Sequence, residues 1–416
     1  MKVLLAPGGM WPEPAGVPLA GSGHGLAPSR VAACLASGWS QARPHDALSL
    51  LPMADGGPGS AQVIGPHQVA SREVIQGRGP LGQVREVDLV RLVPRPSRSG
   101  NQDRGEASTW FLDAARLLAL PTDPGEAAQE ALEGSTSGLG GVIGAALSRT
   151  GPLDTLLVGM SRSAVHDGGL GTMDALGGLR AAKDLLSRRS LGLVLADDIA
   201  LGGMNGAGAA LAGVTTISPE RAQELDRRAC ARAMEVVSAA QDLDPGAVGP
   251  RRPLPVITAL NDVGLSASAH TADSAGTARL STSTWGTGAG GGSALVLRAL
   301  GAGARPGARV MAEILGLSDA VCAQDLVVTA WGELYDVLSD GVVGVVGQQT
   351  ASQALPCIVV CGRCAVSRAE LAAAGVTNAY GLQEVHATES WEASGSPWLE
   401  SRLTDLGSRL SRTWSR

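Results

Sequence analysis

The sequence predicts a two-domain α/β fold with mostly parallel sheets flanked by helices. Three observations carry the prediction. Short apolar runs alternate with amphipathic, alanine-rich stretches along the chain, and strand-then-helix repeats require crossover connections. Glycine-rich turns follow several of the apolar runs. The chain has 416 residues, 44% of them hydrophobic, which is too long for one ordinary domain and ample for a core. The approximate division expected is a discontinuous Rossmann-like domain, residues 1–65 and 285–416, with a second α/β domain, 66–284, inserted in it.

Taken in order, residues 3–6 read as a first strand and 28–39 as a helix with Val31, Leu35 and Ala36 on one face. Residues 154–160 read as a strand, 172–187 as a helix and 191–196 as a strand. The Gly/Ala-rich segment 206–212 is ambiguous, and 220–241 is a long helix. Segments 294–300, 310–315, 326–330 and 357–361 continue the alternation. Residues 94–106, 242–255 and 381–395 read as loops or linkers. Residues 398–416 carry Trp398, Leu399, Leu403, Leu406, Leu410 and Trp414 at helical spacing, expected to form a terminal helix docked on its own domain.

Composition excludes several classes. Net charge is −6 with no large basic patch, which gives no argument for nucleic acid. Mean hydropathy is +0.12, but no uninterrupted apolar segment is long enough to span a membrane. Residues 1–6 are too short for a signal peptide core, and a cytoplasmic location is expected. The lysines are Lys2 and Lys183 alone, so almost no ammonium group is at hand for a phosphate. Of six cysteines only Cys361 and Cys364 have motif-like spacing. Without a second pair or a matching His the reading is reduced thiols, with no metal ligand set.

Four glycine-rich segments carry the chemistry: 52–60 (Pro-Met-Ala-Asp-Gly-Gly-Pro-Gly-Ser), 136–140, 159–169 and 286–292. Glycine lets backbone N–H groups turn inward and approach an anion, and a helix starting there adds its positive end. The candidate binding residues are Gly56, Gly57, Ser60, Thr136, Gly138, Gly140, Ser163, Gly168, Gly169, Gly286, Gly288, Gly290 and Gly291. Asp55 and Asp167, each followed by two glycines, are candidate carboxylates for orienting a hydroxyl or holding Mg²⁺. Such glycines also mark tight strand-to-helix turns, and such aspartates also cap turns.

The order and wording of these segments resemble the bacterial glycerate kinases that phosphorylate D-glycerate at O2. Residues 52–60 match that family's PMADGGEGT, 79–84 its GPLGEPV, and 159–177, read without gaps, its GIGGSATNDGGAGMLQALG. The resemblance implies an active-site cleft between the domains, ATP and Mg²⁺ as cofactors, and a small hydroxy acid and a nucleotide as ligands, in a monomer or homodimer. It implies direct transfer of the γ-phosphoryl group, which is mostly positioning and charge neutralisation. Asp55 and Asp167 are then the catalytic carboxylates. Asp198, in a stretch similar to the family's CDVD, is a third.

The departures are as specific. The family's first loop, with Asp, Ser and Lys, is replaced by Gly8-Gly9-Met10-Trp11. Two glycines of the third loop are Ser161 and Arg162. In the family's TGEGRLDGQTLSGKAP, the Glu becomes Trp331, the Arg Glu333 and the Asp Tyr335, and the Lys has no counterpart. Arg162 or Arg30 is a candidate for restoring positive charge, and Asp336 for replacing the lost Asp. Two functions are therefore expected to compete: an ATP-dependent kinase of glycerate or a similar hydroxy acid, and a catalytically impaired pseudoenzyme that binds a nucleotide or metabolite.

Overall fold

The apolar run at the N-terminus forms β1 (Lys2–Leu5), a central strand of a five-stranded parallel sheet ordered β11-β10-β9-β1-β2. The other strands are β2 (Ala47–Leu50), β9 (Leu326–Leu334), β10 (Cys357–Cys364) and β11 (Asn378–Gly381). This computed structural model describes residues 1–13, 25–94, 107–243, 280–335, 337, 340–382 and 395–415. Asp336, and most of the linkers at 94–106, 242–255 and 381–395, lie outside the described residues. The chain divides into two compact units: Met1–Asp55 with Ala308–Arg416, and Gly56–Gly307. Segments 56–65 and 285–307 thus belong with the second unit.

In the first unit the sheet is covered by α1 (Pro28–Ala42), α9 (Gly307–Leu315), α10 (Leu317–Val321), α11 (Val342–Ala351), α12 (Arg368–Ala373) and α13 (Ser396–Trp414). Strands β9 and β10 open on apolar runs, Leu-Val-Val and Cys-Ile-Val-Val-Cys, because parallel strands are buried on both faces. The terminal helix docks as expected, burying Leu399, Leu403, Leu406 and Leu410. Its approach to α1 leaves no room for side chains at the crossing: a Cβ on Gly38 would lie 1.8 Å from the Thr404 carbonyl oxygen, and one on Gly407 2.4 Å from that of Leu35. Arg30 closes the pair through a two-pronged bond to Glu400, so its guanidinium is committed to holding α13.

The second unit is built on a six-stranded sheet, β3-β4-β5-β6-β7-β8. Its parallel part is β5 (Thr109–Leu112), β6 (Thr155–Met160), β7 (Ser190–Leu195) and β8 (Gly303–Pro306). Strands β3 (Val69–Arg78) and β4 (Val84–Leu92) add an antiparallel hairpin at one edge. The segment that matched GPLGEPV is the turn of this hairpin, with the Gly82 N–H donating to the Gly79 carbonyl. Helices α2 (Pro124–Glu133), α3 (Ser137–Leu147), α4 (Leu170–Ala175), α5 (Gly178–Ser187), α6 (Ala207–Val214), α7 (Pro219–Asp242) and α8 (Ser293–Ala299) complete the unit. Asp123 and Ser218 cap α2 and α7, each followed by proline at the first helical position. The single helix expected over 172–187 is two. Gly177 and Gly178, at φ +94° and +83°, break it.

Candidate functional site: glycine turns at the strand ends

In the second unit the glycine segments gather at the carboxyl ends of β5 to β8. They converge first of all on one another. Gly291 and Gly292 sit at φ +66° and +96°. A Cβ on Gly291 would meet the Val165 carbonyl at 2.5 Å, and one on Gly292 the Gly168 Cα at 2.8 Å. Gly169 faces Gly292 and Ser293 in the same way, and Gly140 faces the Thr172 carbonyl. Several amides expected to face an anion already have acceptors. Gly290 donates to the Ser161 carbonyl, Gly286 to that of Asp198 and Gly288 to that of Ile199. Close backbone packing therefore accounts for much of the glycine content.

Asp167 is the hub of this packing. Its carboxylate accepts from the Thr136 N–H at 2.9 Å, the Gly169 N–H at 2.8 Å and the Gly171 N–H at 3.2 Å. The Thr136 hydroxyl approaches both oxygens, at 3.0 and 2.9 Å. Thr136 and Thr172, both fully buried, are tied by two further bonds, and Thr172 reaches the Ser293 hydroxyl at 2.8 Å. Asp167 thus joins the starts of α3 and α4, and Thr172 extends the network to the start of α8. His166, the residue before Asp167, is buried with Asp226 at 3.2 Å.

The Gly56–Ser60 turn lies across the strand ends. A Cβ on Gly56 would meet the Val194 carbonyl at 2.8 Å, and one on Gly159 would meet the Gly56 carbonyl at 2.7 Å. Ser60 spends its hydroxyl inside the turn, accepting from the Gly56 N–H and donating to the Gly57 carbonyl at 2.7 Å. Ser163 accepts from the Val165 N–H at 3.2 Å. Asp198 is exposed. Its neighbour Asp197 pairs with Arg162, so the guanidinium that replaces a loop glycine is held by a carboxylate. Open space does occur beside Gly138: a groove of about 400 Å³ runs between β3 and the first turns of α3, lined by Gln76, Arg78, Ser137, Gly138 and Gly141.

In the first unit the chain leaves β1 towards β2 on one side and returns through β9 on the other. Open α/β sheets hold ligands at the crevice such a reversal creates. Here that crevice carries indoles. A Cβ on Gly8 would meet the Trp331 ring at 2.6 Å, one on Gly9 the Trp11 Nε1 at 2.3 Å, and one on Gly332 the Trp11 carbonyl at 2.1 Å. Glu333 is buried and accepts from the Tyr335 hydroxyl and, at 3.4 Å, from the Glu13 N–H, with Arg363 at 3.8 Å. Burial pushes the Glu13 carboxyl up to about 8, against a hydrogen bond from the Trp331 side chain. The charges of Glu333 and Asp55, the last residue of this unit, push the same way.

On the same sheet Cys361 is buried and Cys364 half-buried, both as free thiols. A hydrogen bond between the two draws Cys364 down to about 6 and pushes Cys361 up. No group of three or more His, Cys, Asp or Glu among the described residues is placed to hold a metal ion. Lys183 donates to the Ala240 carbonyl at 2.5 Å. No described helix is long and apolar enough to cross a membrane.

Sequence reading missed three of these features. Asp113 is a buried carboxylate directly after β5; the signal was an apolar run, Trp110-Phe111-Leu112, ending in Asp. The Arg162–Asp197 pair joins two adjacent strand ends, which no spacing reveals. Glu13 lies in a stretch without periodicity.

The fold and both clusters invite comparison with known proteins. Over 99% of this chain and 98% of the other, the fold matches a solved structure assigned as glycerate kinase 2 from Salmonella typhimurium LT2, with a TM-score of 0.58 and 19% identity. The uncharacterised proteins Mb2228c of Mycobacterium bovis and MT2261 of Mycobacterium tuberculosis are each 28% identical over 87% of this chain and 82% of their own length. A glycerate kinase of Halalkalibacterium halodurans is 30% identical over 36% of the chain and 35% of its own length. The model of the glycerate kinase family matches residues 23–224 and 256–411, and the chain belongs to that family.

Proposed function

We propose that this member of the glycerate kinase family acts as a binding protein for a small anionic ligand, a hydroxy acid or a nucleotide. Transfer of phosphoryl from ATP to glycerate is slow or absent in this reading. The observation that carries it is the pair of indoles, Trp331 packed against Gly8 and Trp11 against Gly9, where the first sheet reverses direction. Glu333 lies buried beside them, where the family's pattern has an Arg. Removing one charged stabiliser of a transition state costs about 3–4 kcal/mol, about 10²–10³ in rate. Here a Lys, an Arg and two acidic positions are replaced together.

The residues also fit ATP with Mg²⁺ poorly. Asp167, the carboxylate of the Asp-Gly-Gly segment, has its oxygens engaged by three amides and a hydroxyl. Lys183 is engaged with the Ala240 carbonyl, and Lys2 stands at the start of β1. What favours binding is the groove at the start of α3, lined by Arg78, Ser137 and Gly138, with the Arg78 guanidinium donating to the Gly82 carbonyl at 3.2 Å. A helix N-terminus with a guanidinium beside it attracts anions. The rival reading, a working kinase of D-glycerate or a similar hydroxy acid, is favoured by the family itself and by the nearly intact 52–60 segment.

Thermal unfolding with ATP, ADP, D-glycerate and inorganic phosphate, each with and without Mg²⁺, tests the proposal. A ligand at 100 times its Kd raises stability by about 2.7 kcal/mol. Stabilisation by at least one anion is expected, with loss of that effect in Arg78→Ala. No stabilisation by any of them would overturn the reading.

A further inference from the structure

We propose that Asp113 is a positioning residue whose protonated carboxyl pins the Gly56–Ser60 turn over the strand ends, and that the turn loosens when this carboxyl ionises. The inference stands apart from the proposed function, since it concerns the turn and not its ligand.

Asp113 follows β5 directly and is fully buried. One carboxyl oxygen, Oδ2, accepts from the Ala61 N–H at 3.1 Å, and the Gly59 N–H also donates to this carboxyl. The other oxygen, Oδ1, is buried with no hydrogen-bond partner. A buried polar atom without a partner is rare, and it is far more costly on a charged group than on a neutral one. The turn it holds is otherwise self-contained, closed by Ser60, and rests by backbone contact on Gly159 of β6 and Val194 of β7. Asp113 therefore ties the amides at the far end of the turn, Gly59 and Ala61, to the sheet, beside Arg72 of β3 on the Ala61 carbonyl.

The charged groups facing this carboxyl are few. Strand β4 supplies Asp88, and the turn after β5 supplies Arg116, which lies 3.6 Å from Asp88. Strand β3 supplies Arg72, which donates to the Ala61 carbonyl at 2.9 Å and lies 3.6 Å from Asp88. Gly159 and Val194 bring no charge, and neither does the segment 56–61. Both arginines are nearer to being neutralised by Asp88 than free to neutralise Asp113. Burial accordingly raises the Asp113 carboxyl to about 7, against the pull of the Ala61 amide and Arg116.

The sign follows from linkage. The pinned turn binds the proton more tightly than the opened turn, where the carboxyl is solvated at its ordinary value. The stabilisation is fully present below that ordinary value and is lost as pH rises towards about 7, after which it stays constant. The opening equilibrium of the turn should rise about tenfold per pH unit between roughly pH 5 and 6.5 and level off above about 7.

Hydrogen exchange of segment 56–62, corrected for the intrinsic rate and measured from pH 4.5 to 8.5 on the full chain, tests this. Strand β6 serves as the reference for global opening. The wild type should show that rise in segment 56–62 but not in β6. Asp113→Asn, a neutral carboxamide of the same shape, should show no such rise. A flat wild-type profile overturns the proposal, as does an equal rise in Asp113→Asn. Should the variant fail to fold, the wild-type profile alone decides, because a purely structural role predicts protection independent of pH.

Discussion

Replacing Asp167 by Asn separates a structural carboxylate from a chemical one. Oδ2 of Asp167 accepts from the Thr136 and Gly171 amides, and Oδ1 from the Gly169 amide. A carboxamide keeps one acceptor and turns an NH₂ towards donors on the other side. The orientation that keeps the bonds to Thr136 and Gly171 leaves the Gly169 donor facing another donor. A buried donor left without an acceptor costs about 1–3 kcal/mol. Asp167 is half-buried, so a loss of about 1.5 kcal/mol is expected. For a unit of this size that lowers Tm by about 3–6 °C. Thermal unfolding followed by circular dichroism reads the shift, with urea unfolding as a second measure. A loss below about 1 kcal/mol, accompanied by disappearance of any ligand-induced stabilisation, would refute the structural reading and return Asp167 to chemistry.

Three further outcomes follow from the first unit. Gly38→Val places a branched side chain on the Thr404 carbonyl, already 1.8 Å from the site of a Cβ, so α13 must leave α1; trypsin should cleave within α13 at its arginines far faster than in the wild type. Cys364, drawn down to about 6 by Cys361, should be alkylated by iodoacetamide at pH 7 well before the buried Cys361, as peptide mass spectrometry would show. Glu13 has its carboxyl raised to about 8 by burial, so its contribution to stability is present below its ordinary value and lost as pH rises through 8. Glu13→Gln should therefore unfold in urea with a weaker pH dependence than the wild type between pH 5 and 8.

How much was legible depended on the kind of interaction. Parallel strands buried on both faces announce themselves as apolar runs, and β1, β6, β7, β9 and β10 were found that way. The hairpin β3–β4 escaped because β3 is exposed along most of its length, so its sequence, Val-Ala-Ser-Arg-Glu-Val-Ile-Gln-Gly-Arg, shows no buried face. The glycine turns were located correctly in sequence, but their partners were not readable: glycine admits a close neighbour without saying whether that neighbour is a ligand or another backbone. Gly291 beside Val165 and Gly38 beside Thr404 are of the second kind. Motif comparison flagged Trp331 and Glu333 as departures, and in the structure an indole on Gly8 and a buried carboxylate with Arg363 beside it occupy that strand end. Arg30, a candidate for restoring charge, belongs instead to a helix crossing that only the tertiary structure reveals.

ADP release by the purified full chain with Mg²⁺-ATP, across D-glycerate and other small hydroxy acids, separates a binding protein from a kinase most directly. Kinases of small molecules and proteins commonly turn over at about 1–100 s⁻¹. With several charged positions replaced, at about 10²–10³ in rate for each, the expected turnover is below about 0.01 s⁻¹ for every acid tested. Sustained, acid-dependent turnover in the ordinary kinase range would contradict the account, whatever the indoles occupy.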